Sequence, residues 1–189
     1  QNQSNLFYPE SCEYKCDLKG SFQKENKNIA YTAIKILRKK GWNIKNKDIK
    51  TGLKNIKKNT SFMGRWMTIC QSPFTICDTG HNEDSTKIIV EQLKKINFND
   101  LHIVFGMVND KSIDIILKLL PKNAKYYFCN AQIPRSMNSK ILLEKAKNYQ
   151  LSGNYFKSVA DAYNQARLNA NEDDLIFIGG STFVVAEVI

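Results

Sequence analysis

The order of apolar and polar positions divides the chain into two stretches with different rhythms. Residues 12–18 (Cys-Glu-Tyr-Lys-Cys-Asp-Leu) alternate in type, which predicts a strand. Over residues 26–40 the apolar side chains Ile29, Ala30, Ala33, Ile34 and Leu37 recur at i, i+3 and i+4, the pattern of an amphipathic helix. Arg38, Lys39 and Lys40 crowd its last turn, and Gly41 stands where a left-handed residue ends a helix. A second helix is predicted over 47–58, with Ile49, Leu53 and Ile56 on one face, and 57–61 reads as a linker.

Beyond the linker, short apolar runs alternate with helical periods. Residues 67–70 and 74–78 predict two strands whose connection is too short for anything but an antiparallel hairpin. Helices follow over 83–95, 112–120, 139–149, 159–169 and 181–188, interleaved with strands over 101–105, 125–129, 155–156 and 175–178. The alternation predicts an α/β fold: a Rossmann-like, mostly parallel sheet with one antiparallel edge hairpin and helices on both faces. The expected division is 1–59, a strand–helix segment with its linker, and 60–189, the α/β domain. Ligands of such sheets bind beyond the carboxyl ends of the strands. That rule selects residues 78–82, 106–111 and 179–182, where polar and glycine residues precede helices.

Charge changes this picture little. The net charge is +10, and residues 1–59 carry fourteen Lys/Arg against five Asp/Glu. A basic helical segment over 26–58 would be one route to nucleic acid, with strongly salt-dependent binding. Yet 24 of the 28 basic residues are Lys, and the chain is rich in Asn and Ile, so A/T-rich codon usage accounts for the excess. No nucleic-acid partner is expected. No apolar run approaches the ~18–20 residues that span a bilayer, and Gln1-Asn2-Gln3-Ser4-Asn5 does not begin a signal peptide. No membrane is expected, and the five cysteines fit reduced thiols in a cytoplasmic protein. Cys12 and Cys16 lack a second pair of zinc ligands, and neither His81 nor His102 supplies one, so no metal site is expected in this segment.

Five motifs in order resemble those of a known family. They are Gly20-Ser21-Phe22-Gln23-Lys24-Glu25-Asn26, Phe62-Met63-Gly64-Arg65-Trp66, Asp78-Thr79-Gly80-His81-Asn82, Val104-Phe105-Gly106-Met107-Val108-Asn109-Asp110-Lys111 and Gly179-Gly180-Ser181-Thr182-Phe183-Val184-Val185-Ala186-Glu187. Together they resemble the folylpolyglutamate synthase/dihydrofolate synthase family of the Mur-ligase superfamily, colinear over about residues 12–189. The resemblance implies an ATP- and Mg2+-dependent ligase, monomeric, that joins L-glutamate to a folate or dihydropteroate carboxylate through an acyl phosphate. The chain departs from the family at Met63, Thr79, Gly80, Ser21-Phe22 and Glu83. It also contains no G-x-x-x-x-G-K-[S/T]. The family's P-loop and most of its magnesium ligands lie in an ATPase domain that begins before the matched region, so the chain resembles a C-terminal piece, with residues 1–59 the tail of that ATPase domain, that is inactive alone. A non-catalytic nucleotide- or partner-binding α/β module is the alternative.

The resemblance also implies roles. Asp78 would accept the ribose hydroxyls of ATP; its simpler role is to cap the next helix. His81 would lie near the phosphate and the incoming glutamate, or else be an exposed loop residue. Arg65 offers a guanidinium fork to nucleotide phosphate, with surface Arg as its ordinary reading. Asn26 would read the adenine edge or cap its helix. Ser181 would hold the glutamate carboxylate or cap the last helix. Asp110 and Lys111 match the family, and a loop ion pair explains them equally well.

Overall fold

Two units divide the chain between Met63 and Gly64 in a computed structural model that describes residues 8–109 and 113–189. Asp110 and Lys111 lie outside the described residues, as do residues 1–7.

The N-terminal unit contains α1 (Gln23–Lys39), α2 (Asn46–Lys54) and α3 (Ile56–Thr60). The end of α1 is as its sequence predicts. Gly41, at φ +93°, donates to the Arg38 carbonyl at 3.0 Å, and Trp42 donates to the Leu37 carbonyl at 3.1 Å. Three expectations are corrected. Residues 12–18 form no strand, because helices take up their backbone groups. Cys12 N–H donates to Asn28 Oδ1 at 2.9 Å, Asp17 N–H to the Leu53 carbonyl at 3.3 Å, and Lys27 Nζ to the Tyr14 carbonyl at 2.9 Å. The second helix breaks at Asn55, whose amide donates to the Thr51 carbonyl. The expected inward face of α1 is largely outward: Ile29 is 56% exposed and Leu37 37%, while Gln23 and Thr32 are buried. Cys12, Ile49 and Leu53 form the small core, with Tyr14, Tyr31 and Ile34 against it.

The second unit is a six-stranded sheet. Its strands are β1 (Met67–Gln71), β2 (Phe74–Asp78), β3 (Leu101–Phe105), β4 (Lys125–Phe128), β5 (Ser152–Tyr155) and β6 (Leu175–Gly179), in the order β1-β2-β6-β3-β4-β5. The hairpin is antiparallel, with Met67 opposite Cys77, and every other pairing is parallel. β5 begins three residues before the expected strand. β3 and β6 are buried throughout, as strands covered on both faces must be. One face is covered by α4 (Glu83–Leu93), α5 (Ile113–Leu119) and α6 (Ser139–Lys147), through Ile89, Ile116 and Leu142. The other is covered by α7 (Val159–Asn169) and α8 (Thr182–Ala186), through Val159, Ala162 and Val184. α7 carries the chain back from the β5 edge, so β6 enters between β2 and β3. This return decides which loops meet at the carboxyl edge.

The amino-terminal end of the sheet holds a buried polar network. His102 Nδ1 lies 2.9 Å from Tyr127 Oη, and its Nε2 3.3 Å from Asp174 Oδ2. Asn169 donates to Tyr127 Oη at 3.1 Å, so the hydroxyl is assigned to donate to Nδ1, and Nε2–H to Asp174. Burial pushes the imidazole below its usual range despite Asp174. Burial works against Asp174 as well, yet the Asn171 and Asp100 N–H groups and His102 hold its carboxyl below the usual range. A depressed histidine contributes stability above its unfolded pKa of about 6.5, and loses it as pH falls through the folded value. The urea midpoint should therefore decline from pH 7.5 to 5.5, and His102→Phe should flatten the decline below pH 6.5. A wild-type midpoint that does not move over this range would contradict a neutral buried His102.

Candidate functional site

Parallel pairing places Asp78 opposite Gly179, and Gly179 opposite Phe105, at the carboxyl edge. Residues 78–82, 106–109 and 179–182 therefore lie side by side, although they are distant in sequence.

Asp78 ends β2 and is only 2% exposed. Its Oδ1 accepts Gly80 N–H at 2.7 Å and its Oδ2 accepts Trp66 N–H at 2.8 Å. The second bond fixes Trp66 at φ +42°, a left-handed conformation rare for a bulky residue. Thr79 N–H donates to the Gly64 carbonyl at 2.9 Å, so residues 64–66 and 78–80 are laced together. Burial raises the Asp78 carboxyl above its usual range, opposed by the Gly80 and Trp66 N–H groups and by Arg65. Arg65 Nη1 stands 3.8 Å from Oδ1, and the Arg65 side chain is 36% exposed, so the fork is steered by the buried carboxylate while open to solvent.

The cap of α4 is Asn82, not Asp78. Asn82 Oδ1 accepts Ser85 N–H at 2.9 Å, and Ser85 Oγ accepts Asn82 N–H at 3.1 Å, a reciprocal box. His81 sits just before it, with Nδ1 2.9 Å from the Thr79 carbonyl oxygen. Ser181 caps α8 by accepting Phe183 N–H at 3.2 Å. Asn26 lies inside α1, beyond its start at Gln23, so it does not cap that helix; its amide donates to Gln23 Oε1 at 3.3 Å. Arg65, Asp78, His81 and Ser181 all belong to the sheet's carboxyl edge, whereas Asn26 belongs to the N-terminal unit.

One part of the edge escaped the sequence reading. The loop over 129–138, after β4, folds onto the loop after β3. Met137 N–H donates to the Met107 carbonyl at 2.8 Å, and Asn109 N–H to the Arg135 carbonyl at 3.0 Å. Gln132 N–H donates to Glu187 Oε1 at 2.6 Å, tying the loop to the end of α8. Arg135 lies over the Phe183 ring at 4.9 Å. The available signal was Pro134-Arg135-Ser136, which holds one of only four arginines in the chain.

Fold and edge define an open, mostly parallel α/β domain whose carboxyl-edge loops gather where β6 enters between β2 and β3. Comparison with known proteins makes the class specific. Residues 64–182 match the family model of the Mur ligase glutamate ligase domain, and the chain belongs to that family. A probable bifunctional folylpolyglutamate synthase/dihydropteroate synthase of Haloferax volcanii is 29% identical over 94% of this chain and 20% of its own length. The dihydrofolate synthase/folylpolyglutamate synthase of Escherichia coli is 29% identical over 85% of this chain and 36% of its own. The crystal structure of the bifunctional folylpolyglutamate synthase/dihydrofolate synthase of Yersinia pestis, complexed with AMPPNP and a manganese ion, superposes with a TM-score of 0.67. It is 25% identical and is matched over 85% of this chain and 38% of its own. The chain thus spans between 20% and 38% of the length of these three proteins.

Proposed function

We propose that the chain is the C-terminal part of an ATP-dependent ligase that adds L-glutamate to a folate or dihydropteroate carboxylate through an acyl phosphate. The observation that carries this reading is the family match over 64–182, the unit in which Arg65, Asp78, His81 and Ser181 line one sheet edge. A carboxylate is a poor electrophile, and ATP supplies the phosphoryl group that gives it a leaving group. The glutamate amine then attacks the acyl carbon and phosphate departs, so the protein's task is positioning and charge neutralisation.

In this reading Arg65 meets a nucleotide phosphate with its exposed fork. The oxygens of Asp78 keep lone pairs beyond the Gly80 and Trp66 bonds, and these accept ribose hydroxyls when the edge opens to ligand. His81 lies beside the phosphate and the incoming amine, and Ser181 beside a glutamate carboxylate. The donor set fits an anionic ligand better than a metal ion. Among the described residues no group of three or more His, Cys, Asp or Glu converges to hold one. In this reading Mg2+ is held by the part of the ligase that carries the P-loop. Residues 1–59 belong to that larger ATPase domain. The outward stripe of α1, with Ile29 56% exposed, and Trp42, 62% exposed, supports this as surface that the remainder of the domain covers. The reading also makes the ligase a cytoplasmic monomer.

The test compares two proteins. Residues 1–189 alone should release no ADP above background. The full-length protein should release ADP in a glutamate-dependent manner with dihydropteroate, tetrahydrofolate or both. Absence of glutamate-dependent release with either substrate would defeat the ligase reading, and turnover by the 189-residue chain would defeat the division of labour.

A further inference from the structure

We infer that Glu187 is a positioning residue: its carboxylate clamps α8 to the loop after β4 and so holds Ser181, at the other end of α8, in place for the amino-acid substrate. The inference rests on the ligase reading and gives a role to a side chain that this reading leaves unused. Glu187 follows α8 and is exposed, and its Oε1 accepts Gln132 N–H at 2.6 Å across 55 residues of sequence. A hydrogen bond to a carboxylate is shorter and stronger than one between neutral groups. The carboxylate also stands at the carboxyl end of a helix, where the peptide dipoles disfavour negative charge. Helix capping therefore does not account for Glu187, and the bond to Gln132 does.

Hydrogen bonds close the carboxyl-edge loops into a circuit. Gly106 N–H donates to the Gly179 carbonyl at 3.3 Å, which joins the loop after β3 to the end of β6, where α8 begins. Met137 N–H donates to the Met107 carbonyl at 2.8 Å, which joins the loop after β4 to the loop after β3. Glu187 makes the third link, from the loop after β4 to the end of α8, and of these three links it is the one made by a side chain. α8 needs it. The helix has five residues, too few to be stable by its own hydrogen bonds, and two glycines precede Ser181. Val184 and Val185 anchor its buried face. At its start Ser181 Oγ accepts Phe183 N–H at 3.2 Å, and at its end Glu187 holds the loop. The nucleotide side of the edge is braced independently, by Trp66 N–H on Asp78 and by Thr79 N–H on the Gly64 carbonyl. Loss of the clamp therefore displaces Ser181 and spares Arg65 and Asp78.

Steady-state kinetics and amide exchange of the full-length protein decide this. Glu187→Ala should raise the KM for glutamate about 10- to 100-fold, the size of effect that a small misplacement of a binding group produces, and leave the KM for ATP within about twofold. Glu187→Gln keeps an oxygen acceptor for Gln132 N–H and should stay within about threefold of wild type. Exchange of the Gln132 amide hydrogen should be about 10-fold faster or more in Glu187→Ala, as loss of a charge-assisted bond requires. An unchanged KM for glutamate in Glu187→Ala overturns the inference, as does an equal rise in both KM values. Unchanged exchange at Gln132, or a Glu187→Gln protein as impaired as the alanine variant, also overturns it. A wild-type protein with no glutamate-dependent ADP release defeats the ligase reading and this inference together. Normal wild-type release with an indifferent Glu187→Ala defeats this inference alone.

Discussion

Asp78→Ala should lower the stability of the second unit by roughly 2–4 kcal/mol, far more than loss of a helix cap would. A cap substitution typically costs about 1 kcal/mol, and the cap here is Asn82. Asp78 instead accepts two backbone N–H groups, from Trp66 at 2.8 Å and Gly80 at 2.7 Å. A buried donor left without a partner costs about 1–3 kcal/mol. Removing the carboxylate also removes the cost of burying it, which keeps the sum toward the lower part of the range. Asp78→Asn should be harmful too, because the amide turns an NH2 toward one of the two N–H donors. Urea unfolding of Asp78→Ala beside Asn82→Ala checks this. Equal losses of about 1 kcal/mol in both would show that Asp78 acts only locally. In the full-length protein the proposed ribose contact adds a rise in the KM for ATP of about 10- to 150-fold. A stability loss with an unchanged KM for ATP would make Asp78 a brace and nothing more.

Gly180→Ala should be at least as damaging, at about 2–5 kcal/mol, and should remove the edge as a binding surface. Gly180 has φ +92°, where a side chain is strained by about 1–2 kcal/mol. Space is a second obstacle: an added Cβ would lie 2.6 Å from the Gly106 carbonyl oxygen and 2.5 Å from Phe105 Cε2. One neighbour is backbone and the other a buried ring, so β3 and the start of α8 must separate, and overpacking of that kind costs about 1–3 kcal/mol. The same change at Gly52, inside α2, meets nothing within 4 Å. There it should be neutral, or stabilise its own unit by up to about 1 kcal/mol. Thermal melts of both variants make the comparison, and a Gly180→Ala melt matching wild type would show that the edge yields without cost.

Determined by sequence alone were the elements of the second unit and their class. β3 and α7 have the bounds that their patterns predict. A strand covered on both faces must be apolar at every position, and a helix on one face apolar at every third or fourth, so both periods are written locally. The hairpin was legible because a short connection allows no other pairing. The edge positions of Asp78, His81 and Ser181 were legible because loops after parallel strands reach the edge whatever the strand order, and that of Arg65, just before β1, follows from the antiparallel hairpin.

Tertiary structure alone decided the partners. Alternation over 12–18 marks two unlike sides but not what meets them, and helices rather than a strand do so. The apolar stripe of α1 marks surface that needs cover, and within residues 8–63 it finds little. The entry of β6 between β2 and β3 depends on the return of α7 across the sheet, a non-local choice. With it came the two N–H groups on Asp78, the meeting of Gly180 with Gly106, and the reach of Arg135 to Phe183. Periodicity states which side chains must leave water. Which neighbours receive them depends on contacts between residues far apart in the chain, and no local pattern encodes those.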